Sequence, residues 1–268
     1  MSITPPISVV QSFGGAGTPV PIAGGRGNSW RVGELVLRPF DPDEPPLDWQ
    51  EGVLAPIKSP DFRVSLPVRT TAGGFESEGW CAWQFVEGEH YERRWAEIIT
   101  VGERFHRALA NARQPKFIAR RTDPWAIGDR VAWDDTSAEP FMHFEHLRPL
   151  IAARRPLAMR RQLVHGDLTG NVFFAHTLAP AVIDLSPFWR PPGYASAIVV
   201  ADALVWEGAD ESLLEAAAHI PDFPQFLVRA LIMRVVVDRL FREGEPARSN
   251  DDDPFLGAVE IASRLAAT

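Results

Sequence analysis

The character of the sequence changes once, near residues 84–90, and this change limits the folds that are open to the chain. Before it, short apolar segments alternate with glycine and proline turns, which is typical of short β-strands. After it, longer segments carry apolar residues at helical spacing. We therefore predict a bilobal α+β fold, with a small antiparallel β lobe at residues 1–86 and a larger, mainly α-helical lobe at 87–268.

Each lobe has a predicted order of elements. The first lobe is expected to contain one helix at 47–57 and five strands, at 18–25, 28–33, 34–40, 61–70 and 79–86. The second lobe is expected to contain two short strands, at 171–176 and 180–185, and helices at 91–112, within 137–155, and at 195–207, 211–219, 223–243 and 255–267.

The composition excludes several classes of protein. Hydrophobic residues make up 46% of the chain, enough for a folded core. The net charge of −8 argues against a dedicated nucleic-acid binder, because phosphate contacts along a duplex need a basic face. The single cysteine, Cys81, cannot form an internal disulfide, and no apolar run is long enough to cross a bilayer. The N-terminus also lacks the features of a secretory signal, so we expect a cytoplasmic protein that contacts neither nucleic acid nor membrane.

The segment HGDLTGN, residues 165–171, places an aspartate and an asparagine between apolar segments. Asn171 precedes Asp184 by thirteen residues, and Asp184 closes the apolar strand candidate VIDL, where an unpaired carboxylate would be costly. Two such oxygen ligands at neighbouring strand ends could hold Mg²⁺, and Asp167 could then accept a proton from a hydroxyl. A single aspartate or asparagine in a turn is more often an Asx-turn or a helix cap, so only the combination points to chemistry.

The combined motif resembles the catalytic core of the aminoglycoside phosphotransferase and choline kinase group, which are small-molecule relatives of the protein kinases. The matching positions are His165, Gly166, Asp167, Asn171, Ile183 and Asp184. The resemblance extends over almost the whole chain and implies a protein-kinase-like fold. It also implies Asp167 as the catalytic base, Asn171 and Asp184 as Mg²⁺ ligands, and His165 as a structural brace of the loop.

A nucleotide site of this kind needs a glycine-rich turn and a cation on the third strand. The turn candidate lies at 23–28 and offers Gly24, Gly25, Gly27 and Asn28, although glycine-rich hairpins are also common as plain turns. Arg38, on the third strand candidate, is expected to contact the phosphates, since its guanidinium suits phosphate oxygens. Glu51 on the following helix is the candidate partner that orients Arg38, with a solvated helix position as the alternative.

The segment WQFVEGE at 83–89 resembles the hinge of the same family, and this likeness implies that backbone groups of Gln84 and Val86 face the adenine edge. An ordinary edge strand is the alternative. The acceptor pocket is expected in the helical lobe after Asp184, with Trp189 and Asp202 as candidate substrate contacts. The acidic run at 251–253 could attract a cationic substrate, but such runs are usually solvated surface.

Together these features predict an enzyme that uses ATP, or another nucleoside triphosphate, with Mg²⁺ to phosphorylate a hydroxyl of a small molecule. One alternative is a catalytically silent pseudokinase or regulator of the same fold, and another is an unrelated metal-dependent hydrolase. The presence of Asp167, Asn171 and Asp184 together argues against the silent alternative, and the turn and hinge candidates argue against the hydrolase.

Overall fold

The computed structural model describes residues 4–22, 27–144, 146–242 and 253–267. In this part of the chain the strands are β1 (Val20–Pro21), β2 (Trp30–Val32), β3 (Leu35–Pro39), β4 (Arg63–Val64), β5 (Pro67–Val68), β6 (Trp80–Gln84), β7 (Gln162–His165), β8 (Val172–Phe173), β9 (Ala181–Val182) and β10 (Pro187–Arg190). The α-helices are α1 (Ile7–Ser12), α2 (Leu47–Leu54), α3 (Trp95–Ala108), α4 (Pro124–Ala132), α5 (Leu147–Ala153), α6 (Gly193–Trp206), α7 (Phe223–Phe241) and α8 (Leu256–Ala267). Short 3-10 helices occupy Lys116–Arg120, Glu139–Phe141 and Glu211–Ala217.

The chain forms two compact units, and it passes between them three times. The first unit comprises Met1–His90 and Asn171–Leu185, and the second comprises Tyr91–Gly170 and Ser186–Thr268. This division differs from the predicted one at residue 86, because the hairpin of β8 and β9 groups with the first unit. The HGDLTGN segment therefore contains a crossing point, between Gly170 and Asn171.

The first unit is built on an antiparallel sheet with the strand order β1-β2-β3-β6-β5. Apolar side chains from β2, β3 and β6 form its core together with Val9 and Val10 of α1 and with Phe13, which follows that helix. A second, smaller sheet has the order β4-β9-β8, in which β4 runs parallel to β9 and β8 runs antiparallel to it. The segment predicted as one strand at 61–70 is therefore split, with β4 in one sheet and β5 in the other.

The second unit is mainly helical, and α7 lies at its centre. This helix packs against α4, α5, α6 and α8, which explains why apolar residues are buried around most of its circumference. Its start is set by Pro224 in the first turn, and α4 likewise begins with Pro124 after Asp123, whose carboxylate caps the Ala126 N–H. A two-stranded antiparallel ribbon of β7 and β10 completes the described part of the unit.

The predicted α+β fold, with an antiparallel sheet in the first part of the chain and helices in the second, is confirmed. Four of the strands and α-helices were not predicted, namely α1, α4, β7 and β10. The Asp123-Pro124 pair was a usable signal for α4, since aspartate at the cap and proline in the first turn are typical of a helix start. None of the helices in the described ranges is both long and apolar enough to cross a membrane.

Candidate active site

In the first unit, the hairpin of β8 and β9 brings Asn171 and Asp184 close along the backbone. The strands pair with Val172 opposite Val182, and the Ile183 N–H donates to the Asn171 carbonyl oxygen at 3.0 Å. Asp184 follows directly and has a φ of 49°, a left-handed conformation that aspartate tolerates better than most residues. Its side chain is 54% exposed, so the carboxylate is accessible two residues after the end of β9.

Arg38 on β3 belongs to the same group of side chains. Its Nη1 donates to Asp184 Oδ1 at 3.1 Å, and its Nη2 donates to Glu44 Oε2 at 2.6 Å. The guanidinium carbon also lies 3.9 Å from the centre of the Trp83 ring, a cation–π contact that limits its movement. Arg38 Nε is buried and has no hydrogen-bond partner among the described residues. The candidate phosphate-binding cation and the candidate metal carboxylate are therefore adjacent.

The predicted partner of Arg38 is corrected by the structure. Glu51 lies on α2 and pairs with Arg69, with a closest distance of 2.6 Å. The carboxylate that holds Arg38 belongs instead to Glu44, in the segment that links β3 to α2. Glu44 was not predicted because the family likeness points to a glutamate on the helix. A carboxylate in a loop also has no periodic pattern by which it could be found.

The glycine-rich turn is described only in part. Gly24 and Gly25 lie outside the described residues, whereas Gly27 and Asn28 lie just before β2. Gly27 has a φ of 68°, a conformation that residues with a Cβ rarely adopt, and a Cβ there would meet no described atom within 4 Å. The described end of the turn therefore needs glycine for its backbone conformation and is open around it.

The backbone groups of Gln84, predicted to face adenine, are used within the first unit. The Gln84 N–H donates to the Leu66 carbonyl oxygen at 2.8 Å, and its own carbonyl oxygen accepts from Ser65 Oγ at 2.7 Å. This position is thus an ordinary sheet position, because β6 continues its pairing to Gln84. Val86, two residues beyond the strand, is half-buried and stays a predicted nucleotide contact.

In the second unit, the two glycines of HGDLTGN serve different purposes. A Cβ on Gly166 would lie 2.2 Å from the Phe188 ring on β10, so glycine allows these two segments of the chain to approach closely. Gly170 has a φ of 81° with open space around it, so its glycine is needed for backbone conformation instead. These two requirements explain why the motif departs from a simple helix.

His165 is fully buried and connects the motif to its surroundings. Its Nδ1 accepts from the backbone N–H of Asp167 at 3.2 Å and lies 3.4 Å from that of Ser186. Its own backbone N–H donates to Nε2 of His106 on α3 at 3.0 Å. Burial lowers the pKa of His106 to about 3, with a smaller contribution from His165, so His106 is neutral near pH 7 and its Nε2 can accept this bond. Sequence reasoning assigned His106 no function.

Asp167 projects from this loop with a side chain that is 48% exposed. Its Oδ1 lies 3.5 Å from Nη2 of Arg234, a buried arginine on α7. Arg234 also makes two 2.6 Å hydrogen bonds to Asp202 on α6. Burial acts to lower the pKa of Arg234, but the Asp202 carboxylate reverses this effect and holds that pKa above its usual value. Arg234 was not predicted as a site residue, although arginines among the apolar residues of this helix were a visible signal.

The two candidate acceptor contacts, Asp202 and Trp189, differ in how accessible their side chains are. Asp202 is only 5% exposed and both of its oxygens are bonded to Arg234, which corrects its prediction as a substrate contact. Trp189 lies on β10 opposite Leu163 and is half-buried, so it stays a predicted contact.

Within the acidic run, 251–252 lie outside the described residues, and the Asp253 side chain is buried beside His146 at 2.8 Å. Asp253 is therefore part of a buried pair and not of a solvated face.

The few donor atoms near Asp184 suit Mg²⁺ better than they suit a metal ion that needs a full set of protein ligands. No cluster of three or more His, Cys, Asp or Glu side chains with metal-binding geometry occurs in the ranges that the structure describes. Mg²⁺ is usually held by one or two protein oxygens together with water and substrate phosphates. The side-chain amide oxygen of Asn171 and the Asp184 carboxylate are the two protein oxygens that could hold such an ion.

Comparisons with known proteins give a family and a fold. A sequence model of the family described as phosphotransferase enzyme family (APH) matches residues 18–190, more than half of the chain. A search of curated protein sequences found no match.

Three similar solved structures illustrate the fold. One is a thermostable mutant of aminoglycoside phosphotransferase APH(4)-Ia in a ternary complex with ADP and hygromycin B, with 17% identity over 97% of each chain and a TM-score of 0.57. Another is spectinomycin phosphotransferase APH(9)-Ia with ADP and spectinomycin, with 14% identity over 94% of this chain and 93% of the other, and a TM-score of 0.53. A third is choline kinase LicA from Streptococcus pneumoniae, with 10% identity over 96% of each chain and a TM-score of 0.59. At such identities the likeness shows the fold, which is the predicted protein-kinase-like one.

Proposed function

The chain belongs to the phosphotransferase enzyme family, and on that premise we propose that it transfers the γ-phosphate of ATP to a hydroxyl group of a small molecule. The observation that carries this proposal is the group formed by Arg38, Asp184 and Asn171 in the first unit. It combines a cation for phosphate oxygens with two oxygen donors for a divalent ion. Similar structures contain ADP with hygromycin B or spectinomycin, which supports a nucleotide and a small hydroxylated acceptor as ligands.

Phosphoryl transfer asks a protein mainly to position the reactants and to neutralise charge. In this proposal Arg38 donates from its guanidinium to phosphate oxygens, while Glu44 keeps the guanidinium in place. Asn171 and Asp184 would hold Mg²⁺, which when bound would neutralise negative charge on the phosphates. The left-handed backbone at Asp184 sets the direction of its Cα–Cβ bond relative to β9.

Asp167 is the proposed base. The acceptor oxygen forms a bond to the γ-phosphorus, the bond from that phosphorus to the bridging oxygen of ATP breaks, and ADP leaves with that electron pair. The hydroxyl proton passes to the Asp167 carboxylate. His165 keeps the loop in one conformation, because its Nδ1 accepts the backbone N–H of Asp167.

A panel of hydroxylated acceptors tests this function. The protein would be incubated with MgATP and separate aminoglycosides, sugars, choline and amino alcohols, and the products would be examined by mass spectrometry for the gain of one phosphoryl group. We expect at least one acceptor to be phosphorylated. The Asp167→Asn variant should lose about 10²–10⁴-fold in rate and keep its MgATP affinity within a few-fold, because an amide retains the shape but cannot take the proton.

Two outcomes would contradict the proposal. If MgATP binds tightly but no acceptor in a broad panel gains phosphate, the silent nucleotide-binding alternative is favoured over the enzyme. If Asp167→Asn retains turnover, Asp167 is not the base, and a simple Asx-turn explains its presence. The melting temperature of the variant, measured in parallel, separates a lost reaction from a lost fold.

A further inference from the structure

The contact between Asp167 and Arg234 has a fixed geometry on its arginine side. Arg234 Nε donates to Asp202 Oδ1 and Nη2 donates to Asp202 Oδ2, each at 2.6 Å, so the planar guanidinium is held in a two-point bond. The arginine and Asp202 side chains are 8% and 7% exposed. The same Nη2 lies 3.5 Å from Asp167 Oδ1. Asp202 therefore sets the orientation in which Arg234 meets Asp167.

Stability alone does not account for this arrangement. Desolvation of a buried ion pair costs about as much as the attraction returns, so a well-packed apolar pair would stabilise α6 and α7 equally well. What an apolar pair could not supply is a positive charge beside the half-exposed Asp167 carboxylate. The unit also contains a buried arginine on the same helix with no such contact, Arg229, which donates to Gln225 and to the Arg155 carbonyl oxygen.

We propose that Arg234, oriented by Asp202, is a positioning residue that holds the Asp167 carboxylate in one rotamer and in its charged form. This inference rests on the proposed function, since it concerns the base of that reaction. Among the described residues, the charged or titratable groups near Asp167 include Arg234 from α7, Asp202 from α6 and, at the Asp167 backbone N–H, His165 from its own loop. Arg234 acts on Asp167 directly, whereas Asp202 acts both by its own negative charge and through Arg234.

The electrostatic part of the proposal can be tested without any turnover. In protein labelled with ¹³C at the aspartate carboxyl, the Asp167 resonance is assigned by its loss in Asp167→Asn, and its titration midpoint is followed by NMR. Arg234→Gln removes the positive charge and should raise that midpoint by about one pH unit. Asp202→Asn removes a negative charge but keeps one side-chain oxygen that can accept from Arg234 Nε, so Arg234 stays in place and the midpoint should fall. Arg229→Gln removes a buried arginine from the same helix and should leave the midpoint unchanged.

The opposite signs distinguish this proposal from a purely structural one. If Arg234 and Asp202 only joined α6 to α7, both variants would disturb the loop in the same direction or not at all. An unchanged Asp167 midpoint in folded Arg234→Gln protein would overturn the inference. If Arg234→Gln fails to fold, Asp202→Asn decides, because an unchanged or raised midpoint there contradicts the proposal equally.

Kinetics give the second readout once an acceptor is known. Arg234→Gln should lower kcat by about 10–10²-fold with little change in KM for ATP, because misplacement of the base affects the transition state and not nucleotide binding. Arg234→Lys should recover part of the loss, since the charge remains. Arg229→Gln should lower the melting temperature but keep kcat. If no acceptor is ever phosphorylated, the proposed function fails, and the NMR titration still decides whether Arg234 controls Asp167.

Discussion

At the scale of single residues, the arginine on the third strand is held by a carboxylate that precedes the helix. Arg38 Nη2 lies 2.6 Å from Glu44, and the Arg38 and Glu44 side chains are 19% and 25% exposed. Glu51, one turn into α2, pairs instead with the more exposed Arg69. Two glutamates of similar chemistry within eight residues thus have different partners, and they form a matched pair for mutation.

Glu44→Gln should weaken nucleotide binding, whereas Glu51→Gln should not. A charged hydrogen bond is worth about 1.5–3 kcal/mol, reduced by partial exposure, so we expect Glu44→Gln to raise KM for ATP about ten-fold. Glu51→Gln should stay within roughly two-fold of the wild type, because solvent screens its pair with Arg69. Steady-state kinetics, or calorimetry with MgATP, measures both. If Glu51→Gln raised KM for ATP more than Glu44→Gln, Glu51 and not Glu44 would be the functional partner of Arg38.

At the scale of elements, the second unit depends on the close approach of α4 to α7. A Cβ on Gly128 of α4 would lie 2.8 Å from the Met233 carbonyl oxygen and 3.0 Å from Val237 on α7. A backbone atom cannot move aside as the end of a flexible side chain can, so the helices would have to separate. Met233 precedes Arg234, so this contact also supports the segment of α7 that faces Asp167.

Gly128→Ala should therefore destabilise the protein, by about 1–3 kcal/mol, as expected for overpacking. Gly52→Ala is the control, since Gly52 lies within α2 and a Cβ there meets no described atom within 4 Å. Alanine at that position should stabilise by about 0.4–1 kcal/mol, because it restricts the unfolded chain. Urea unfolding of both variants measures these free energies, and equal changes would show that the contact between α4 and α7 is not tight.

At the scale of the whole molecule, the residues proposed for chemistry belong to different compact units of the chain. It enters the first unit at Asn171 and returns to the second at Ser186. Asp167 thus belongs to the helical unit, whereas Asn171, Asp184 and Arg38 belong to the unit with the five-stranded sheet. A ligand that binds Asp184 only in the folded protein should stabilise the folded state by mass action.

Mg²⁺ with a non-hydrolysable ATP analogue should raise the melting temperature. At a ligand concentration of 100 times Kd the gain is about 2.7 kcal/mol, which corresponds to a rise of several degrees for a chain of this size. Asp184→Asn should abolish most of the Mg²⁺-dependent part of this rise. Asparagine tolerates the left-handed backbone at this position as aspartate does, so the variant should fold. A full Mg²⁺-dependent rise in the variant would rule out Asp184 as a metal ligand.

Much of the fold could be predicted because its signals are local. Alternation of apolar residues, turn glycines and helical spacing lie within a few residues of one another, and they indicated the strands of the main sheet, α2, α3 and α6 to α8. The ribbon of β7 and β10 was missed, and so was α1. Each depends on its packing partner: β7 and β10 pair with each other, and α1 packs on the core of the sheet.

The residues proposed for chemistry were likewise chosen from the sequence, because Asp167, Asn171 and Asp184 have a recognisable spacing. Their partners were decided only by the tertiary structure. Arg38 meets Asp184 across 146 residues of chain, and Arg234 meets Asp167 across 67. Such pairs depend on which faces of distant elements pack together, and the local spacing of apolar residues does not show this. For the same physical reason Asp202 was predicted as a substrate contact. The sequence shows that Asp202 is charged, but it does not show that Arg234 pairs with it.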